Sequence, residues 1–135
     1  MKVDGGCLCG EIKYEAEIDP MRVALCHCTD CQVTSGTAMN WVALVVDAHF
    51  ELTRGSIKLY VKTSDSGRRR ALGFCPECGS RILSKPVDGE PGYIALRVGS
   101  LRQRDRLPPR AHLWARSAQP WIDELGQLPR VEQQP

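Results

Sequence analysis

Gly5-Gly6-Cys7-Leu8-Cys9-Gly10 places two thiols two residues apart, hemmed by glycines that let a backbone bend around an ion. Far down the chain, Cys75-Pro76-Glu77-Cys78-Gly79 repeats the theme as a zinc-knuckle turn. Two residues between the thiols bring both sulfurs to one point, and Gly79 permits the tight exit. On a regular strand Cys7 and Cys9 would face the same way. Two such pairs complete a four-thiolate tetrahedral cage, the closed form of structural zinc, with each sulfur roughly 2.3 Å from the metal. An ion shared by Cys7, Cys9, Cys75 and Cys78 would fasten the first strand to a late hairpin. A lone cysteine is more often a buried free thiol. Glycine-flanked pairs at ligand spacing rarely arise for packing alone, and the βαβ context of a redox C-x2-C is missing.

The remaining three of the seven cysteines lie in Leu25-Cys26-His27-Cys28-Thr29-Asp30-Cys31-Gln32. A C-x-C step followed by a turn can set three sulfurs around one corner of a tetrahedron. With no cysteine left over, the fourth ligand is a histidine, water or a substrate group. On an extended C-x-C step the His27 side chain points away from its neighbours' sulfurs, which leaves His49 and His112 as candidates. An open three-thiolate zinc would lower the pKa of an incoming thiol and hold it as thiolate. Polarising a carbonyl is the other available role, but three thiolates weaken the metal's Lewis acidity. Cys26, Cys28 and Cys31 are therefore the candidate catalytic residues as well as ligands of a second zinc, so two zinc ions are expected per chain.

Composition fits this picture. A chain of 135 residues suits one domain, and 42% hydrophobic with only 6% aromatic residues gives a modest core that gains from a metal staple. Residues 1–125 are expected to form a single zinc-binding domain, with 126–135 a frayed tail. An odd cysteine count and the lack of an apolar h-region near Met1 argue against a disulfide framework and predict a cytoplasmic protein. No apolar run approaches the ~20 residues needed to span a bilayer. The formal charge is only +2, but residues 1–67 carry 6 basic and 9 acidic side chains while 68–135 carry 12 and 7. Most of the excess is arginine, whose forked guanidinium suits carboxylates and phosphates.

The secondary-structure signals are mostly strands. Glu11 to Ile18 alternates polar and apolar residues with a period of two. Trp41 to Val46 is continuous and rich in β-branched residues, as in a strand covered on both faces. Phe50–Thr53 and Ile57–Val61 flank Arg54-Gly55-Ser56, a predicted hairpin turn. Arg68–Phe74, Tyr93–Val98 and His112–Ala115 complete the strands. A helical turn is expected after Cys28, capped by Thr29 or Asp30, and another over Trp121–Leu125. With 12 glycines and 9 prolines between short strands, the fold class is mainly β with few helical turns.

Three stretches now carry a resemblance. Gly5 to Ile12, Cys26 to Gln32 with Ser35-Gly36 just after, and Phe74 to Ser80 resemble the glutathione-dependent formaldehyde-activating enzyme family, also called the CENP-V/GFA domain. Leu96 to Leu101 and Pro109 to Trp121, with His112-Leu113-Trp114 and Pro120-Trp121, are similar to its closing pattern. The likeness runs from residue 5 to about 121. It implies a β-tent of antiparallel sheets, a structural zinc on Cys7, Cys9, Cys75 and Cys78, and a second, substrate-associated zinc on Cys26, Cys28 and Cys31. It also implies a carbon–sulfur lyase joining glutathione and formaldehyde as S-hydroxymethylglutathione, or the reverse.

On that expectation the backbone N–H groups around Thr34, Ser35 and Gly36 are candidates for an oxyanion or carboxylate. Arg97, Arg81 or Lys85 are candidates for glutathione's carboxylates, and His112 for proton transfer. Two other readings stand beside the lyase. One is a non-enzymatic zinc-stabilised module that binds protein or nucleic acid, toward which the arginine-rich second half leans. The other is a redox or metal sensor whose triplet oxidises when its metal leaves. A small-molecule thiol such as glutathione is the favoured partner; nucleic acid and membrane are disfavoured.

Overall fold

The computed structural model describes residues 1–46 and 49–134; Pro135, the end of the expected frayed tail, lies outside them. Ten strands and one α-helix follow in order: β1 (Lys2–Gly6), β2 (Lys13–Glu17), β3 (Val23–Cys26), α1 (Thr29–Ser35), β4 (Asn40–Val45), β5 (Phe50–Arg54), β6 (Lys58–Thr63), β7 (Arg69–Phe74), β8 (Arg81–Pro86), β9 (Ile94–Arg97) and β10 (Ala111–Leu113). They form a three-stranded sheet ordered β1-β2-β5 and a seven-stranded sheet ordered β10-β3-β4-β9-β8-β7-β6. The mainly β class is borne out. One pairing departs from the antiparallel pattern: β10 runs parallel to β3, with Leu113 opposite Cys26. That is possible because a long connection, far beyond hairpin length, separates the two strands.

The period-two signal holds in β2, where Tyr14 and Ala16 are buried while Lys13, Glu15 and Glu17 are exposed. Tyr14 reaches the core between the sheets and closes on Ser100, Oη to Oγ 2.6 Å. β4 is covered on both faces, as its β-branched run predicts. Ala43 and Val45 join Ile82, Leu96, Val98 and Leu101 in the main core, while Val42 packs with Ala24 and Ala95 on the opposite face, against Leu44 and Leu113. The large sheet thus separates the core from a second, smaller apolar surface, and that second surface floors the site.

The hairpin at Arg54-Gly55-Ser56 is not formed. Gly55 does take a left-handed φ of 78°, and a Cβ there would collide with the Glu11 carbonyl. But the chain changes sheets at this turn: β5 pairs with β2 and β6 with β7. Phe50 lies 5.3 Å from Tyr14, ring centre to ring centre, which holds β5 on the small sheet. The helical turn after Cys28 is the helix α1, but neither Thr29 nor Asp30 caps it. The Cys28 sulfur accepts the Cys31 N–H at 3.2 Å, doing what a hydroxyl or carboxylate ordinarily does at this position. A 3-10 turn occupies Ile122–Gln127. No described helix is long and apolar enough to cross a membrane.

Candidate metal centres and an arginine-lined cavity

The two pairs of the expected cage meet. The ligand atoms of Cys7, Cys9, Cys75 and Cys78 all lie within 4.8 Å of one another. Cys7 and Cys9 do not sit on a regular strand. They occupy the turn leaving β1, where the Cys7 N–H donates to the Ile12 carbonyl and the Gly10 N–H to the Cys7 carbonyl, each at 3.2 Å. The Cys75–Cys78 knuckle closes as its spacing predicts, with Gly79 at φ 74° and its N–H on the Cys75 carbonyl at 2.9 Å. Ser80 fastens the two halves, since its hydroxyl accepts the Leu8 N–H at 3.0 Å and lies 3.2 Å from the Cys78 sulfur. That hydroxyl is the leading reason why the Cys78 thiol is held down to about 5. The Cys7 sulfur accepts the Ile12 N–H at 3.2 Å.

Sulfur separations test the fit to metal. Tetrahedral bonds of roughly 2.3 Å put neighbouring sulfurs about 3.8 Å apart. Cys7 to Cys9 is 3.5 Å and Cys9 to Cys75 is 3.7 Å. These are cage edges, and they are far too long for a disulfide.

The triplet also converges. Cys26 ends β3, Cys28 caps α1 and Cys31 sits in its first turn. Their ligand atoms fall within 4.8 Å of one another, with Cys26 and Cys31 sulfurs 3.5 Å apart. Both clusters could therefore hold a metal ion. The Cys31 thiol is brought down to about 2, first by hydrogen bonds from Cys26 and Cys28, with Asn40 and the Arg97 charge assisting. Cys26 is pushed up, chiefly by its hydrogen bonds to Cys28 and Cys31. These contacts favour the thiolate at Cys31, the state a metal requires of its ligand.

Neither histidine candidate closes the triplet. His112 is instead hydrogen-bonded to His27, and His49 lines a different groove, with Lys2 and Glu17. Among the described residues no fourth His, Cys, Asp or Glu joins Cys26, Cys28 and Cys31. His27 does turn away from the sulfurs, and its side chain is completely buried.

The cluster opens into a cavity of about 430 Å3. Its apolar floor is the outer face of the large sheet, including Val42, Leu44, Ala95 and Leu113. Arg97 reaches it from the end of β9, while Arg81 and Lys85 do not line it. Arg81 donates to the Thr34 carbonyl at 3.2 Å and lies over the Phe74 ring, and Lys85 faces Asp88 at 3.8 Å. The Arg97 side chain is largely desolvated, which lowers its pKa, while the Cys31 and Cys26 charges work the other way. Its Nε has no hydrogen-bond partner, nor has Nη1 of Arg81.

Residues 34–36 do not form an anion nest. They end α1, where carbonyls rather than N–H groups are left over, and the Gly36 N–H is taken by the Gln32 carbonyl at 3.0 Å. The sequence reading missed Lys62, Arg70, Trp114 and Arg116, all of which line the cavity. The arginine excess after residue 67 signals Arg70 and Arg116, Trp114 stands only within the closing pattern of the resemblance, and nothing in the sequence signals Lys62.

A family model for the glutathione-dependent formaldehyde-activating enzyme matches residues 2–117. A crystal structure of a Rhodobacter sphaeroides protein superposes with a TM-score of 0.61 at 19% identity, over 81% of this chain and 98% of that one, which establishes likeness of fold alone. No curated protein matches the chain. With two cysteine clusters at metal-ligand spacing and a family match running from β1 past β10, the chain belongs to the glutathione-dependent formaldehyde-activating enzyme family.

Proposed function

We propose that this chain is a zinc-dependent carbon–sulfur lyase acting on a thiol adduct, such as the S-hydroxymethylglutathione formed from glutathione and formaldehyde. One observation carries the reading: three cysteines converge at the edge of a cavity without a fourth protein ligand among the described residues. The other cluster, with four sulfurs, is saturated and has an architectural role. Zinc on Cys26, Cys28 and Cys31 would supply an open position that holds a visiting sulfur as thiolate beside the bound aldehyde.

The chain's own residues prepare that position. The Arg97 guanidinium, buried beside the triplet, offsets the negative charge that three thiolates bring, and a dry surround strengthens this. The apolar floor of Val42, Leu44 and Ala95 keeps water from one side of the reacting pair. In the joining direction the sulfur lone pair forms an S–C bond, the C=O π pair moves to oxygen, and the proton lost by the thiol ends on that oxygen. The reverse breaks the same bond, and neither direction changes oxidation state overall.

The test is addition of formaldehyde to glutathione, followed by NMR exchange between free aldehyde and adduct. Wild-type protein should accelerate exchange, and Cys28→Ser, folded by circular dichroism, should not. Equal exchange in both proteins rules out the proposal. A thiol of this kind is a cytosolic metabolite, in keeping with free cysteines throughout.

A further inference from the structure

Trp114 holds a backbone conformation that its side chain disfavours. Among the described residues it is the only non-glycine with a left-handed φ (54°, with ψ 42°). Bulky side chains avoid this region because Cβ crowds the neighbouring carbonyl. Packing offers little in return, since the residue is 45% exposed. Strain of this kind persists where the surroundings fix it, and it gathers at functional sites. Here the surroundings are explicit. Leu113 is paired with Cys26 and accepts the His27 N–H at 2.9 Å, while the Trp114 carbonyl accepts the Ser117 N–H at 3.0 Å. Held from both sides, the indole lines the same cavity as Cys26 and Cys28.

Arg116 lies with its guanidinium carbon 4.9 Å above the Trp114 ring and lines that cavity too. It makes no ion pair among the described residues. Arg68 and Arg97 of the cavity also lack an ion pair among the described residues, Arg97 sitting beside the triplet with its Nε unpartnered, but of these three Arg116 alone lies over an aromatic ring. Lys62 is paired with Asp30 and Arg69 with Glu90, and Arg70 donates to the Ser84 and Tyr93 carbonyls. Stacking on an indole fixes the direction of a guanidinium while leaving its in-plane N–H groups free for an oxyanion.

We propose that Trp114 and Arg116 determine substrate specificity at the rim of the cavity. The indole face packs against the aliphatic body of the thiol substrate, and Arg116 receives a carboxylate at the end remote from the sulfur. The inference rests on the reading of Cys26, Cys28 and Cys31 as the place where that sulfur docks.

The experiment uses the full chain loaded with cobalt in place of zinc, whose visible spectrum reports a thiol arriving at the cluster. It is titrated with glutathione and with mercaptoethanol, a neutral thiol too short to reach the rim. Arg116→Gln should weaken glutathione about tenfold, as expected for one lost charge-assisted contact. Trp114→Gly should do so by a similar factor through lost packing and a released guanidinium, and both should leave mercaptoethanol unchanged. Arg116→Lys should recover part of the loss. Trp114→Gly should also melt no lower than wild type, because glycine suits a left-handed backbone; a merely structural tryptophan would lower the melting temperature. Retention of the glutathione preference in both variants overturns the inference, and so does equal weakening of both thiols. If neither thiol alters the wild-type spectrum, the docking role of the triplet fails and the rim assignment falls with it.

Discussion

His27 and His112 meet edge to edge, Nε2 to Nδ1 at 2.8 Å, with ring centres 5.0 Å apart and planes inclined by 28°. The first is the completely buried residue between Cys26 and Cys28, and the second stands on β10, at the rim of the large sheet. A strand with only one neighbour is thereby tied to the loop that spaces two of the three thiols. His27→Ala removes the tie and leaves a hole. It should cost about 1–3 kcal/mol in denaturant unfolding, and cobalt affinity at the triplet should fall while the four-sulfur cluster stays filled. Unchanged affinity at both clusters would show that the pair does not position the loop.

The two clusters should respond differently to a single lost sulfur. Cys78→Ser removes one corner of the cage that joins β1 to the β7–β8 turn. Structural zinc contributes on the order of 10 kcal/mol, comparable with the whole stability of a small domain. No cooperative thermal transition should remain by circular dichroism. Cys28→Ser should keep its transition and its fold. If both variants unfold alike, the triplet is a second staple rather than a reactive site.

Chelation should proceed in order. Elemental analysis of fully loaded protein is expected to give two zinc ions per chain. The ion at Cys26, Cys28 and Cys31, with three protein ligands, should leave first on titration with a chelator, and melting should stay unchanged until the second begins to go. Simultaneous loss would mean that the triplet is as closed as the cage.

Alkali should loosen the core through Tyr14. Burial pushes its phenol up to about 12 from the ordinary 10, against the Ser100 hydrogen bond, which favours ionisation. A raised folded-state pKa stabilises fully below the unfolded value and is lost as pH rises through the folded one. Stability of about 3 kcal/mol is thus present below pH 10 and disappears between pH 10 and 12. Urea unfolding against pH should show a steep fall in this window. Tyr14→Phe should be flatter there, and an equally steep profile in the variant would assign the fall elsewhere.

Cysteine spacing carried most of what the sequence disclosed, because ligand geometry is local within each pair or triplet. Cys75–Cys78 closes as its C-x2-C spacing requires, and Tyr14 and Ala16 follow the alternation of their strand. Less was legible where local and distant interactions compete. Arg54-Gly55-Ser56 reads as a hairpin from turn chemistry, yet Phe50 finds Tyr14 and the two flanking strands enter different sheets. β3 (Val23–Cys26) is short and β8 (Arg81–Pro86) lacks clean alternation, so only their partners identify them. Of the cavity, only the three thiols and Arg97 were legible. Lys62 and Arg70 come from β6 and β7 and the Trp114–Arg116 pair from the segment after β10, and no spacing along the chain encodes that they share one space with Arg97.

The parallel pairing of β10 with β3 has a bearing on biosynthesis. As a nascent chain leaves the ribosome, the four-sulfur cage has every ligand once Cys78 has emerged. The carbonyl that holds the His27 N–H belongs to Leu113, synthesised much later. An ion at the four-sulfur cluster would therefore anchor β1 to the β7–β8 turn while Cys26, Cys28 and Cys31 still await the strand that braces them.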